Sequence, residues 1–161
     1  MKRASTIFLQ IVITVLGIGV LAALLWEPQV EGRNAHVTSQ FQIYFQDPFL
    51  AYIYVAFVPF FVGLYQTVRM LGYARRDEIF SQPAVRGLRI IKYCAGITAF
   101  FIIGAEIYIF IFVRGTDDVA GGVMMGVFII FVSTVVATAA AVVERILQNA
   151  VDIKAENDLT V

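Results

Sequence analysis

The sequence contains very few of the residues that build metal centres, covalent catalysts and disulfide bonds. Its 161 residues include one cysteine, Cys94, and one histidine, His36. A disulfide needs two cysteines, and structural zinc sites and iron–sulfur clusters need several cysteine or histidine ligands. No Ser/His/Asp or Cys/His catalytic set can be recognised in this inventory either. We therefore expect a protein that is not an enzyme and that holds no metal ion or other cofactor.

Charged residues are also scarce. Asp, Glu, Lys and Arg make up 15% of the chain and hydrophobic residues make up 60%, whereas soluble domains carry roughly a quarter charged residues. The apolar residues are gathered into long runs, and no polar stretch is long enough to form a second, soluble domain. This distribution indicates a single all-α membrane domain.

Four apolar runs are each long enough to cross a hydrocarbon core, which takes roughly 20 residues. The first run exceeds the length of a secretory signal core and lacks a small-residue cleavage site, so we interpret it as a retained span. The second run contains Pro59, which removes a backbone hydrogen bond and predicts a kink. The four predicted spans cover residues 7–26, 49–73, 90–113 and 119–143.

The basic residues predict the orientation. Ten of the 12 Lys and Arg residues lie near the N-terminus, around the connector 74–88 or in the tail 144–161, whereas Arg33 and Arg114 alone lie in the other two loops. Lysine and arginine in loops mark the cytoplasmic side of a membrane. We expect an antiparallel four-helix bundle in the bacterial inner membrane, with both termini in the cytoplasm and an outer loop at residues 27–47.

The third and fourth helices are expected to extend into the cytoplasm. Ser81 and Pro83 form a helix start, and no helix breaker follows, which predicts one helix from about Pro83 to Val113. After the fourth span, the apolar spacing continues through Ile146, Leu147 and Ile153, as in an amphipathic helix.

One carboxylate lies inside the third run. An ionised side chain there costs on the order of 3 kcal/mol, so Glu106 must be shielded, paired or protonated. Small residues on its helix face predict close packing on a neighbouring helix. Counting depth from the outer ends of the spans places Glu106 near Tyr54 of the second span, Met125–Gly126 of the fourth and Gly19 of the first, and we expect the Tyr54 hydroxyl to be its partner. Such a group either fixes helix packing or binds a proton or cation.

Two further clusters are candidates for a site. Glu144 continues a stripe of small residues that begins with Gly122 and Gly126, and Arg69 lies at a similar depth, which predicts an inner-interface salt bridge between Glu144 and Arg69. A basic face near the inner leaflet would attract anionic lipids or dock a protein partner. It comprises Arg75, Arg76, Arg86, Arg89 and Lys92.

Two segments resemble a bacterial family of four-helix membrane proteins of unknown function, domain-of-unknown-function 2975. They are Ile79-Phe-Ser-Gln-Pro-Ala-Val-Arg-Gly-Leu-Arg-Ile-Ile-Lys92 and the ending Glu156-Asn-Asp-Leu-Thr-Val161. The four-span layout matches along essentially the whole chain, although the family's usual Asn-Pro-Phe reads Gln82-Pro83-Ala84 here. Members are often encoded beside a small helix-turn-helix regulator, so the resemblance implies a regulatory pairing. The family has no agreed catalytic residues.

Two functions remain as hypotheses. The first is a membrane-bound regulator or anchor for a small cytoplasmic partner, such as a helix-turn-helix regulator, on a face built from residues 74–92 and the C-terminal helix. In this hypothesis the chain does not bind nucleic acid itself. The second is a small proton- or ion-coupled transporter or channel component, in which a homo-oligomer forms a path past Glu106.

Overall fold

The computed structural model describes residues 3–30, 48–76, 78–113 and 120–159, and this part of the chain is helical apart from a short connector. The elements are helices α1 (Arg3–Val30), α2 (Pro48–Arg75), α3 (Gln82–Tyr108) and α4 (Ala120–Leu159). A five-residue π-helical segment, Ile109–Val113, continues α3. Most of the predicted outer loop, residues 31–47, lies outside the described residues, and α1 extends to Val30.

Each of the four helices is long and apolar enough to span a membrane, which confirms the predicted class. Helix α4 has 40 residues and is therefore about 60 Å long. Since a hydrocarbon core is about 30 Å thick, roughly half of α4 lies beyond any single crossing. The amphipathic continuation predicted after residue 143 is part of this one helix.

The start of α3 agrees with the sequence in position but differs in its capping. The helix begins at Gln82, and the backbone carbonyl of Ser81 accepts hydrogen bonds from the amides of Ala84 (3.0 Å) and Val85 (3.2 Å). The Ser81 hydroxyl does not cap the helix and instead donates to the Glu78 carbonyl at 2.7 Å. The side chain therefore closes the connector turn. In the second span, α2 continues through Pro59 without ending.

The helices pack in the order of the sequence. Helix α1 packs on α2, α2 packs on α3, and α3 packs most extensively on α4, while the other pairs of described helices barely touch. Helix α3 is thus central to a row of helices. Among the described residues α4 does not pack on α1, so the four helices form an open row and not a closed bundle.

Specific contacts fix the register between neighbouring helices. Between α1 and α2, the Gln10 side chain donates to the Val68 carbonyl at 3.1 Å, and the Tyr54 hydroxyl donates to the Leu24 carbonyl at 3.3 Å. At the start of α2, the ring of Phe49 stacks on the ring of Tyr108 of α3, with 5.2 Å between the ring centres. Gly87 of α3 lies against the Met70 side chain.

The apolar core lies at one end of the molecule, where the connector joins α2 to α3. Side chains from three helices and the connector meet there, whereas most large apolar residues elsewhere are exposed, as expected of surfaces in contact with lipid. The buried members are Ala84, Val85, Leu88 and Leu147, and around them pack Met70, Tyr73, Ile79 and Val151. We call this region, residues 70–92 with 144–157, the connector end.

Candidate functional site

A three-residue ion cluster joins α3 to α4 at the connector end. Glu144 is buried, and its two carboxylate oxygens accept hydrogen bonds from Arg89 Nε at 2.7 Å and Lys92 Nζ at 2.6 Å. The Arg89 side chain is 53% exposed, whereas the Lys92 side chain is half as exposed. The carboxylate is therefore satisfied on both oxygens, and the cluster carries a net positive charge.

This geometry corrects the predicted salt bridge between Arg69 and Glu144. Arg69 is exposed on α2, where its Nη2 donates to the Tyr73 hydroxyl at 3.0 Å and its guanidinium lies 5.9 Å from the Tyr65 ring centre. The prediction paired Arg69 with Glu144 because the two residues lie at a similar depth in the membrane, but α3 lies between α2 and α4. The cations that face Glu144 are consequently those of α3.

The local sequence explains why Arg89 and Lys92 reach the same carboxylate. Residues three apart in a helix lie on one face, and that face of α3 continues through Ala99 to Glu106. On α4, the predicted stripe of small residues is buried at Gly126 and Ala140 and leads to Glu144. Gly122 departs from the prediction, since it is exposed and, apart from its own turn of helix, no atom of the described residues lies within 4 Å of where its β-carbon would be.

Glu106 lies against α4 at Gly126, within the pair Met125–Gly126 that depth predicted for this helix. A β-carbon added to Gly126 would overlap the Glu106 carboxyl, so glycine at 126 makes room for the acid. Among the described residues, no hydrogen bond to the Glu106 side chain is seen. The π-helical segment that follows, Ile109–Val113, begins three residues later, and the Ile109 amide is shared between the carbonyls of Ala105 and Glu106.

The predicted partner of Glu106, Tyr54, faces the wrong helix. Its hydroxyl donates to Leu24 of α1, whereas Tyr52, about half a turn away, donates to the Phe101 carbonyl of α3 at 2.8 Å. A β-carbon on Gly104 would lie 2.5 Å from the Tyr52 hydroxyl oxygen. The prediction identified the correct depth but not the correct side of α2.

The predicted basic face divides into two parts. Arg89 and Lys92 turn toward Glu144, while Arg75, Arg76 and Arg86 are exposed at the connector end. Only the second part presents charges that are not already paired within the described residues. The five residues thus do not form one uniform surface.

An apolar groove lies between the connector and α4, within the face of residues 74–92 and the C-terminal helix that the sequence suggested for a partner, although the groove itself was not predicted. Phe80 is 57% exposed and Ile153 is 61% exposed, although both lie outside the four apolar runs. Ile153 belongs to the apolar spacing predicted after the fourth span, whereas Phe80 is a single apolar residue in a polar connector and has no periodic pattern. The groove is lined by Glu78, Phe80, Ser81, Ala150, Ile153 and Lys154. Within the described residues, no group of His, Cys, Asp and Glu side chains is placed to hold a metal ion.

Four membrane-length helices with a packed connector end define a multi-pass helical membrane protein. The profile of a family described as "Protein of unknown function (DUF2975)" matches residues 34–161, and the chain belongs to this family. It is similar to the uncharacterized membrane protein YoaS of Bacillus subtilis (strain 168), at 39% identity over 162 residues, which cover 100% of both chains. No solved structure matches. The resemblance found in the two sequence segments is confirmed.

Proposed function

We propose that this protein is a membrane-bound regulator or anchor that recruits a small cytoplasmic protein to its connector end. The observation that carries the proposal is the groove with Phe80 and Ile153 exposed on its walls. Large apolar side chains in the membrane spans face lipid, but these two lie beyond the apolar runs, where exposure to water is unfavourable. Clustered apolar exposure outside a membrane is typical of a protein-binding surface.

The proposal includes an orientation. The helices lie antiparallel in the bacterial cytoplasmic membrane, with both termini and the connector end in the cytoplasm. The asymmetric distribution of lysine and arginine supports this orientation. The helix contacts support the antiparallel arrangement, since Glu144 near the end of α4 meets Arg89 near the start of α3, and Gly126 near the start of α4 meets Glu106.

The groove favours a helical partner. Its apolar walls are bordered by one acid, Glu78, and one base, Lys154. A helix with an apolar ridge and charges of both signs beside it would fit such a surface. The candidate partner is the small helix-turn-helix regulator that the family resemblance implies. In this proposal the regulator contacts DNA and the membrane protein contacts only the regulator.

The test uses the full-length protein in detergent and the purified product of the helix-turn-helix gene that this proposal expects beside its own gene. Phe80→Ala and Ile153→Ala should each weaken binding about fivefold or more, because truncating a hot-spot residue at the centre of an interface costs over 1 kcal/mol. Phe128→Ala is the matched control, since Phe128 is also exposed, at 62%, but lies in the fourth predicted span. Its binding should equal that of the wild type.

Two results together would refute the proposal. One is that the purified regulator does not bind the wild-type protein. The other is that deletion of the membrane protein leaves the regulator's target transcripts unchanged. Equal binding by all three variants would refute the groove as the site.

A second function rests on Glu106. Its carboxyl contacts the α4 backbone without a hydrogen bond from another described residue, and a π-helical segment follows it; such segments are frequent at functional sites. These features favour a proton or cation site in a small transporter. A pH-dependent flux into liposomes that disappears in Glu106→Gln would support it, and an unchanged flux would eliminate it.

A further inference from the structure

We propose that the exposed side of α3 binds one anionic phospholipid, with the phosphate at Arg86 and Arg89 and an acyl chain over Gly96. The site is independent of the groove at Phe80 and Ile153. It would fix the depth of the α3–α4 pair in the leaflet on the side of the connector.

The ion cluster prepares Arg89 for an anion. Only the Nε of Arg89 is engaged by Glu144 among the described residues, and the side chain is 53% exposed. The carboxylate therefore holds the guanidinium in place while its terminal nitrogens stay accessible. A guanidinium presents paired donors that match two phosphate oxygens.

Neighbouring residues extend the site on both sides. Arg86 is exposed one turn before Arg89, which adds a second cation on the same face. Tyr93 is 60% exposed one turn after Arg89, and Lys92 Nζ lies 5.0 Å from the centre of its ring. Tyrosine favours the boundary between headgroups and hydrocarbon. The arginines would therefore lie at the level of the phosphate, and Tyr93 at the level where the acyl chains begin.

The apolar part of the site is a notch at Gly96. Gly96 is exposed, and apart from its own turn of helix no atom of the described residues lies within 4 Å of where its β-carbon would be. Tyr93 precedes it by three residues and Phe100, 73% exposed, follows it by four, so both rings lie on its side of the helix. The notch between two rings suits an acyl chain.

The chemistry of this surface selects a lipid as the occupant. Three cations and one carboxylate lie at the basic end, which calls for an anion. The other end lies within the apolar run 90–113, where the surrounding medium is hydrocarbon. A molecule with an anionic head and an apolar chain satisfies both ends at once.

Native mass spectrometry of the full-length protein with added phosphatidylglycerol or phosphatidylcholine tests the site. The wild type should retain phosphatidylglycerol in preference to phosphatidylcholine. Arg86→Gln should weaken retention about fivefold, as expected for one basic side chain at an anionic surface. Arg89→Lys keeps the charge but removes the paired donors of the guanidinium, and Gly96→Leu fills the notch. Both variants should therefore also retain phosphatidylglycerol more weakly. Arg145→Gln changes an exposed arginine of α4 outside this face and should have no effect.

Three outcomes would overturn the inference. The first is equal retention of the two lipids by the wild type. The second is equal loss in Arg145→Gln and Arg86→Gln, which would indicate general charge attraction. The third is full displacement of phosphatidylglycerol by millimolar inorganic phosphate, which would assign the cations to free phosphate. Because Arg86 forms no ion pair within the described residues, its variant tests the site even if Arg89→Lys impairs folding.

Discussion

The carboxyl of Glu106 in α3 occupies the space where any side chain larger than that of glycine would stand at residue 126 of α4. Nearer the connector, Glu144 of α4 is held by Arg89 and Lys92 of α3. Helices α3 and α4 therefore contact each other through one acid at each of two depths, Glu106 of α3 and Glu144 of α4. The connector end, with its core and groove, is attached to this pair.

Gly126→Ala should destabilise the protein by about 1 kcal/mol, the low end of the cost of overpacking, because the group that the added methyl displaces is the end of the flexible Glu106 side chain. Gly122→Ala is the matched control, because no other helix of the described part of the chain approaches Gly122, and it should leave stability unchanged or slightly higher. Unfolding in mixed detergent and SDS, followed by circular dichroism, measures both.

The double variant Glu106→Ala/Gly126→Ala should recover much of the stability lost in Gly126→Ala, because truncating residue 106 vacates the space. A double variant as unstable as the sum of the two single changes would show that the carboxyl does not occupy this space.

Arg89 and Glu144 should be energetically coupled, and Arg69 and Glu144 should not. A double-mutant cycle with Arg89→Gln and Glu144→Gln should give a coupling of roughly 1 kcal/mol, moderated by the partial exposure of Arg89. The parallel cycle with Arg69→Gln should give a value near zero. The reverse ranking would favour the pair that depth in the sequence suggested.

Cys94 should resist thiol reagents in the folded protein. Its side chain is buried, and the β-carbon lies within 3.4 Å of the position that a β-carbon on Gly63 of α2 would take. A maleimide should label it only after SDS unfolding, as read by mass spectrometry. Rapid labelling of the native protein would show that α2 and α3 separate at this level.

Periodicity and hydrophobicity were sufficient to predict four helices, the start of α3 near Pro83 and the extension of α4. They also placed Glu106 at the level of Met125–Gly126. They could not determine which helices are neighbours, because depth is a one-dimensional quantity. Tyr54 and Arg69 were assigned wrongly for that reason: each lies at the right depth but on a side of α2 that does not meet the predicted partner.

The groove was missed for a different reason. Phe80 and Ile153 come from distant parts of the sequence, and neither belongs to an apolar run. They become a surface only when the connector folds against α4 over the core of Ala84, Val85 and Leu147. Such a surface depends on tertiary packing, which no local pattern encodes.

The central claim is that the connector end lies in the cytoplasm, where a soluble partner can reach its groove. A cysteine placed at the groove by Lys154→Cys tests it with a membrane-impermeant maleimide, and buried Cys94 serves as the internal control. The account predicts labelling of residue 154 in inside-out membrane vesicles and none in right-side-out vesicles. Labelling in right-side-out vesicles would place the groove outside the cell and contradict the account.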